Sequence, residues 1–214
     1  MIKAVLFDLD GTLLNTNELI YKSFVYTFKE GLNMTPSKDE ITSFYGQPLE
    51  YTFKNYIDNK SEIDRLIKIY REYNEEIHDN MCYAFDEVEE LLIELKKKGI
   101  KVGIVTSKRE SLAKRGMKIA GILKYMDIVV TPECTKKHKP HKEPALYATE
   151  KLNINPKETI MVGDSNFDLI CGRDAGCKTC GVTYTEMDIE KLKEVNPDYF
   201  ITSPKEILEL VERG

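Results

Sequence analysis

The sequence predicts an α/β fold, a doubly wound parallel sheet with an inserted helical segment. Continuous apolar runs recur along the chain, the pattern of parallel strands covered on both faces rather than of half-exposed ones. From residue 86 onward these runs alternate with helical periodicity, as in successive βαβ units. Between the first and second runs lies a stretch of helical pattern only, residues 16–80.

Taken in order, strands are expected at 3–7 (KAVLF), 101–105 (KVGIV), 128–130, 159–162 (TIMV), 178–182 and 199–201. A helix is expected over 86–98, where Val88, Leu91, Leu92 and Leu95 share one face. Acids occupy its first turn, lysines 96–98 its last, and Gly99 stops it, so charge complements the helix dipole at both ends. Ser203-Pro204-Lys205-Glu206 is a capping box with proline at the first helical position, and it opens a C-terminal helix through Ile207, Leu208, Leu210 and Val211. In the inserted stretch, Leu19, Ile20, Phe24 and Phe28 make one apolar stripe, and Ile63, Leu66, Ile67, Tyr70 and Ile77 another. The expected organisation is a core of residues 1–15 and 81–214, with residues 16–80 as a helical subdomain over the carboxyl edge of the sheet. Open α/β sheets bind ligands at that edge.

A chain of 214 residues supports one sizeable core and a small inserted unit. With 42% hydrophobic and 31% charged residues it has the composition of a soluble globular protein. The net charge of −5 provides no basic surplus to neutralise nucleic-acid phosphates. No apolar run is long enough to cross a bilayer, and the opening MIKAVLFDLDG runs straight into acids, as a strand does and a signal peptide does not. Five cysteines form an odd set, so reduced thiols and a cytoplasmic location are expected. Cys177 and Cys180 form a C-x-x-C without a second pair and within an apparent strand, which favours structural thiols over a metal or redox site.

Four motifs carry the chemistry. The first strand ends in Asp8-Leu9-Asp10-Gly11-Thr12, two carboxylates that are costly to hold together without a cation or a shared proton. A polar turn would account for Asp10-Gly11, but not for Asp8 directly after Val5-Leu6-Phe7. Gly163-Asp164-Ser165-Asn166-Phe167-Asp168 repeats the theme after the TIMV strand; individually, Asp164 would pass for a helix N-cap and Asp168 for an exposed first-turn acid. Oxygen donors converging on one edge, with no His or Cys among them, suit a hard cation such as Mg²⁺. Thr106-Ser107-Lys108 ends the second strand, where a hydroxyl and free backbone N–H groups can grip phosphate oxygens. The basic loop from Lys136 to Lys142 can supply one ammonium to offset the charge of carboxylates and phosphate together.

In this order, Asp8-x-Asp10-Gly11-Thr12, Thr106, Lys139-Pro140 and Gly163-Asp164-x-x-x-Asp168 resemble the haloacid dehalogenase superfamily of phosphohydrolases, with a Rossmann-like core. The insert is similar to that family's C1-type helical cap, near the phosphoglycolate phosphatase and β-phosphoglucomutase branch. Strings such as Asn15-Thr16-Asn17-Glu18, Tyr70-Arg71-Glu72-Tyr73-Asn74 and Lys139-Pro140-x-x-Glu143-Pro144 further resemble the HAD-type inorganic pyrophosphatases. The resemblance implies that Asp8 is the nucleophile on phosphorus, forming an aspartyl-phosphate, and that Asp10 is the general acid and base. It implies that Asp8, Asp164 and the Asp10 backbone carbonyl hold Mg²⁺. Thr106, with N–H groups around Leu9, Asp10 and Ser107, would cradle the phosphoryl group. Lys139 would offset charge, and Asp168 would orient Lys139 or a metal-bound water.

Lys142, where relatives often have proline, competes with Lys139, and the Lys-Pro pair favours Lys139. Lys108, Arg109 and Arg71 are candidate cations for the second phosphate of pyrophosphate, and Gly46-Gln47-Pro48 is a candidate substrate-facing turn. The expected partner is a small phosphorylated substrate, with neither nucleic acid nor membrane, for a monomer or weak dimer. A phosphoglycolate-type monoester phosphatase, a phosphosugar mutase, a non-catalytic binding protein on the same scaffold and a receiver-like domain are the alternatives. The receiver-like domain would be shorter and would lack the helical insert.

Overall fold

The computed structural model describes residues 1–213. The chain opens with β1 (Ala4–Phe7) and the short β2 (Leu14–Asn15), then α1 (Asn17–Leu32), α2 (Lys38–Thr42), α3 (Leu49–Lys54) and α4 (Lys60–Ile77). It returns through β3 (Tyr83–Ala84), α5 (Val88–Lys97), β4 (Lys101–Val105), α6 (Glu110–Ile119) and β5 (Ile128–Val130). Next come α7 (Glu143–Leu152), β6 (Thr159–Gly163), α8 (Asn166–Ala175), β7 (Lys178–Val182), α9 (Ile189–Glu194), β8 (Tyr199–Ile201) and α10 (Ile207–Arg213).

Six strands pair in parallel in the order β5-β4-β1-β6-β7-β8. Strand order reverses at β1, which lies between β4 and β6, so the crevice beyond its carboxyl end is the topological switch point. Alternation along β1 feeds two cores. Val5 and Phe7 pack on one face with Leu91, Leu92 and Leu95 of α5, whereas Leu6 packs on the other with Ala145, Ala148 and Cys171 of α7 and α8. The C-x-x-C thiols divide in the same way, Cys180 joining the first core and Cys177 the second. All five cysteines are free. Burial pushes Cys171 up to about 11 and Cys177 up to about 12, as expected of structural thiols.

A matched pair of clamps holds the opposite, amino-terminal end of the sheet. Asp127, just ahead of β5, accepts the N–H of Val102 at 2.9 Å and pairs with Lys101 at 3.1 Å. Asp198, just ahead of β8, accepts the N–H of Thr179 at 2.9 Å and pairs with Lys178 at 2.7 Å. Each clamp ties the first residues of one strand to the approach of its outer neighbour.

Between β2 and β3 the helices α1 to α4 surround their own apolar cluster, including Phe24, Phe28, Phe44, Phe53, Leu66 and Tyr70. Its rings meet largely edge-on or tilted, as Phe24 and Phe44 do at 5.5 Å. β2 and β3 pair antiparallel through Leu14↔Ala84 and Asn15↔Tyr83, a ladder absent from the strand signals in the sequence. Two-residue strands are too short to leave a pattern. The helix expected over 86–98 starts at Val88, because Glu87 has φ of +67° and cannot lie in a helix. The capping box at Ser203 forms as expected, but its first turn, Pro204–Glu206, is 3-10 before α10 begins.

Candidate active site

Strands β1, β4 and β6 each deliver a motif to the switch point. Asp8 directly follows β1, Thr106 follows β4, and Asp164 follows β6. Asp8, Asp164 and Asp168 are buried and offer carboxylate oxygens all within 4.8 Å of one another. Gly11 permits the approach of the two loops. It has φ of +83°, and a Cβ there would lie 2.1 Å from Oδ2 of Asp164.

Lys139 enters this cluster from the loop after β5. Its Nζ donates to Asp8 Oδ1 and Asp168 Oδ1, both at 2.5 Å, and to the Val105 carbonyl at 3.0 Å. Burial acts to strip its proton, but the Asp168 and Asp8 carboxylates outweigh it and hold the ammonium charged. Lys142 is exposed and lies just ahead of α7, and of the two lysines it is Lys139 that meets the acid cluster. Asp168 is 1% exposed rather than a solvated first-turn acid. Its Oδ2 accepts from the Ser165 N–H and hydroxyl while Oδ1 holds Lys139, so one carboxylate both completes the capping box of α8 and positions the lysine. Ser165, not Asp164, is the N-cap of that helix.

In Asp8 and Asp164, burial outweighs the compensating contacts. Burial raises Asp8 to about 7; Lys139 opposes the rise, and Asp168 adds to it. Asp164 is raised well above the carboxylate range by burial, then by Asp8 and Asp168. The only hydrogen bond it accepts from a side chain among the described residues comes from the Thr185 hydroxyl, at 3.0 Å. Buried carboxylates with hard oxygen donors and one ammonium for three charges fit a divalent cation held by oxygen.

Asp10 lies beside this cluster. Both its hydrogen bonds converge on Oδ1, from the Thr16 hydroxyl at 2.8 Å and Lys108 Nζ at 2.9 Å. Lys108, read from the sequence as a substrate contact, is thus engaged by Asp10. Thr16 occupies the N-cap position of α1 yet makes no capping bond, because its hydroxyl is turned to Asp10. The Thr106 hydroxyl accepts the N–H of Lys108 at 3.1 Å. The N–H groups of Leu9, Asp10 and Ser107 have no hydrogen-bond acceptor among the described residues, which leaves three donors at the strand ends.

The insert covers the site. A cavity of about 420 Å³ is lined from below by Asp8, Asp10, Lys139 and Asp164, and from the insert by Gln47, Tyr70 and Arg71. Gly46, with φ of +74°, packs against Ser165, where a Cβ would lie 2.7 Å from the serine Cβ. Gly46, Gln47 and Pro48 all line the cavity. Thr185 and the roles of Thr16 and Ser165 escape sequence reading. Only the Ser165-to-Asp168 spacing carried a signal, that of a capping box.

A parallel sheet with an acid cluster, a buried lysine and free N–H donors at its switch point defines a hydrolase of the α/β class that handles phosphorylated compounds. The chain belongs to the haloacid dehalogenase-like hydrolase family, whose model matches residues 5–182. A Clostridium perfringens relative bearing the name PpaX is 54% identical over 213 residues, covering 100% of this chain and 99% of its own. The Oceanobacillus iheyensis pyrophosphatase PpaX is 41% identical over 98% of this chain and 97% of its own. Among solved structures, a haloacid dehalogenase-like hydrolase from Streptococcus pneumoniae superposes with a TM-score of 0.87 at 30% identity, covering 98% of each chain.

Proposed function

We propose that this hydrolase cleaves inorganic pyrophosphate to phosphate through an aspartyl-phosphate on Asp8. The observation that carries the reading is the state of the Asp8 carboxylate. Lys139 holds Oδ1, while Oδ2 accepts no hydrogen bond among the described residues, and the N–H groups of Leu9, Asp10 and Ser107 at the strand ends are unpaired among them. Oδ2 attacks phosphorus in line. The N–H groups of Leu9, Asp10 and Ser107 and the Thr106 hydroxyl bind the phosphoryl oxygens. Asp10, held by Oδ1 alone, uses Oδ2 to protonate the departing phosphate and then to take a proton from the water that hydrolyses the acyl phosphate. Lys139 offsets charge on the nucleophile, and Asp168 keeps it in place. Asp8, Asp164 and the Asp10 carbonyl would hold Mg²⁺, which when bound neutralises charge on the phosphoryl oxygens.

In this scheme residues 16–80 act as the cap and residues 1–15 and 81–214 as the catalytic core. The setting is a cytoplasmic monomer or weak dimer. Pyrophosphate as substrate is supported by the names of the full-length relatives at 54% and 41% identity and by the cations Arg109 and Arg71 around the cavity.

A second reading, a phosphoglycolate-type monoester phosphatase, is favoured by one feature. Half-buried Ile20, Leu49, Ile67 and Leu112 also line the cavity and would suit a carbon-bearing leaving group. Turnover of pyrophosphate, phosphoglycolate and β-glucose 1-phosphate with and without Mg²⁺ tests both. The expected result is metal-dependent preference for pyrophosphate, and a stronger rate on either ester would overturn it.

A further inference from the structure

The chain has six arginines. Four engage nearby carboxylates: Arg65 with Glu62, Arg115 with Asp79, Arg173 with Asp174 and Arg213 with Glu209. Arg71 and Arg109 have no ion-pair partner among the described residues, and these two line the cavity that contains Asp8. They reach it from different parts of the molecule, Arg71 from α4 in the insert and Arg109 from the position just ahead of α6 in the core.

Burial and then the charge of Arg109 push the Arg71 pKa below its ordinary value, while Glu133 acts against the fall. Glu133 feels the charge of Arg109 in turn but forms no ion pair with either arginine among the described residues, its Oε1 accepting from the N–H of Glu110 at 3.4 Å. The carboxylates Asp8, Asp10 and Asp168 of the same cavity are engaged by Lys139 and Lys108, so the two guanidinium groups repel each other with no acid paired to either among the described residues. An anion between them converts that repulsion into attraction.

We propose that Arg71 and Arg109 form a two-sided clamp for the distal phosphoryl group of a diphosphate, the group that departs as Asp8 takes the proximal one. The inference rests on the pyrophosphate reading of the site. In the step, the bond from Asp8 Oδ2 to phosphorus forms and the bridging P–O bond breaks. Its electron pair passes to the bridging oxygen, which Asp10 protonates, and phosphate leaves. The guanidinium forks pair with the oxygens of that phosphate, which gains charge as the bond breaks. Because one arginine belongs to the insert and the other to the core, the same anion draws the two together over the site. A monoester with an uncharged leaving group offers nothing for the clamp to hold.

The test is the ratio of kcat/KM for pyrophosphate to that for phenyl phosphate, measured with Mg²⁺ on the full chain and on Arg71→Ala and Arg109→Ala. Each alanine variant should lower the ratio by about 10- to 100-fold, the scale of a lost charge-assisted hydrogen bond. Arg71→Lys, which keeps the charge without the fork, should lower it less than alanine does. Ratios within about twofold of wild type in both alanine variants would overturn the clamp, with twofold lying well inside the spread of such interactions. Arg71→Gln gives the same readout should the alanine variant fold poorly. Preference of the unmodified enzyme for phenyl phosphate would remove the substrate reading, and the clamp with it, before any variant is made.

Discussion

Aspartates stand at both ends of the sheet, and the two sets have opposite electrostatic character. At the amino-terminal end, burial raises Asp127 and Asp198, but lysine partners and strand N–H groups outweigh it, so both fall below the ordinary carboxylate range. At the carboxyl end, burial dominates, and Asp8 and Asp164 rise. A carboxyl whose pKa falls on folding stabilises the fold once ionised, whereas one whose pKa rises withdraws stability as it ionises. One end of the sheet thus holds the strands together, and the other stores the charge repulsion that chemistry on phosphorus requires.

The sharpest test of this contrast is Asp8→Asn. It should lower turnover by at least about 10³-fold, as loss of a nucleophile does, while the melting temperature stays level or rises because one of the repelling charges is gone. Retained activity would sink the nucleophile assignment, and a collapsed fold would show that Asp8 belongs with the stabilising set. Next in size is Thr185→Val, which removes the Asp164 hydrogen bond supplied by Thr185. Mg²⁺ affinity, read from the metal dependence of activity, should weaken by about 10-fold or more, the usual effect of deleting a group that orients a ligand. An unchanged metal dependence would separate Thr185 from the metal site.

The smallest effect belongs to the other end. Asp127→Asn should cost about 1 kcal/mol of stability, since its N–H bond to Val102 weakens and its lysine partners are partly exposed. Activity should not change. The pKa of Asp127 is depressed in the fold, so its contribution is complete above the unfolded value of about 3.9 and is lost as pH falls through the lower folded value. Melting curves of wild type and variant should therefore be farthest apart near neutral pH and converge on acidification below about pH 4. A gap that persists in acid would mean that packing, not charge, is what the substitution removed.

Much of this arrangement was legible in the sequence because it is local. Asp8, Thr106 and Asp164 each follow an apolar run directly, and a strand that ends in a carboxylate or hydroxyl declares itself within a few residues. Ser165 and Asp168 share the first turn of α8, so their spacing was readable too. Thr185 was not, because it meets Asp164 only after β7 has crossed the sheet, and a lone threonine in a loop carries no pattern. The same holds for the pairing of Lys108 with Asp10, which spans 98 positions of sequence. Asp127 and Asp198 went unnoticed for a similar reason. Each resembles an ordinary surface acid until its neighbouring strand is in register.

The ladder of β2 and β3 has a consequence for how such a chain can be cut and rejoined. Pairing Asn15 with Tyr83 brings the two ends of the insert within about 5 Å of each other, the spacing of paired strands. To the sheet, the whole excursion is therefore one hairpin with an outsized tip, and the entropy of closing a loop grows only slowly with its length. A tight turn of two residues spans the same gap. The seam would let the excursion between β2 and β3 be exchanged as a unit, with the six strands of the main sheet left where they are.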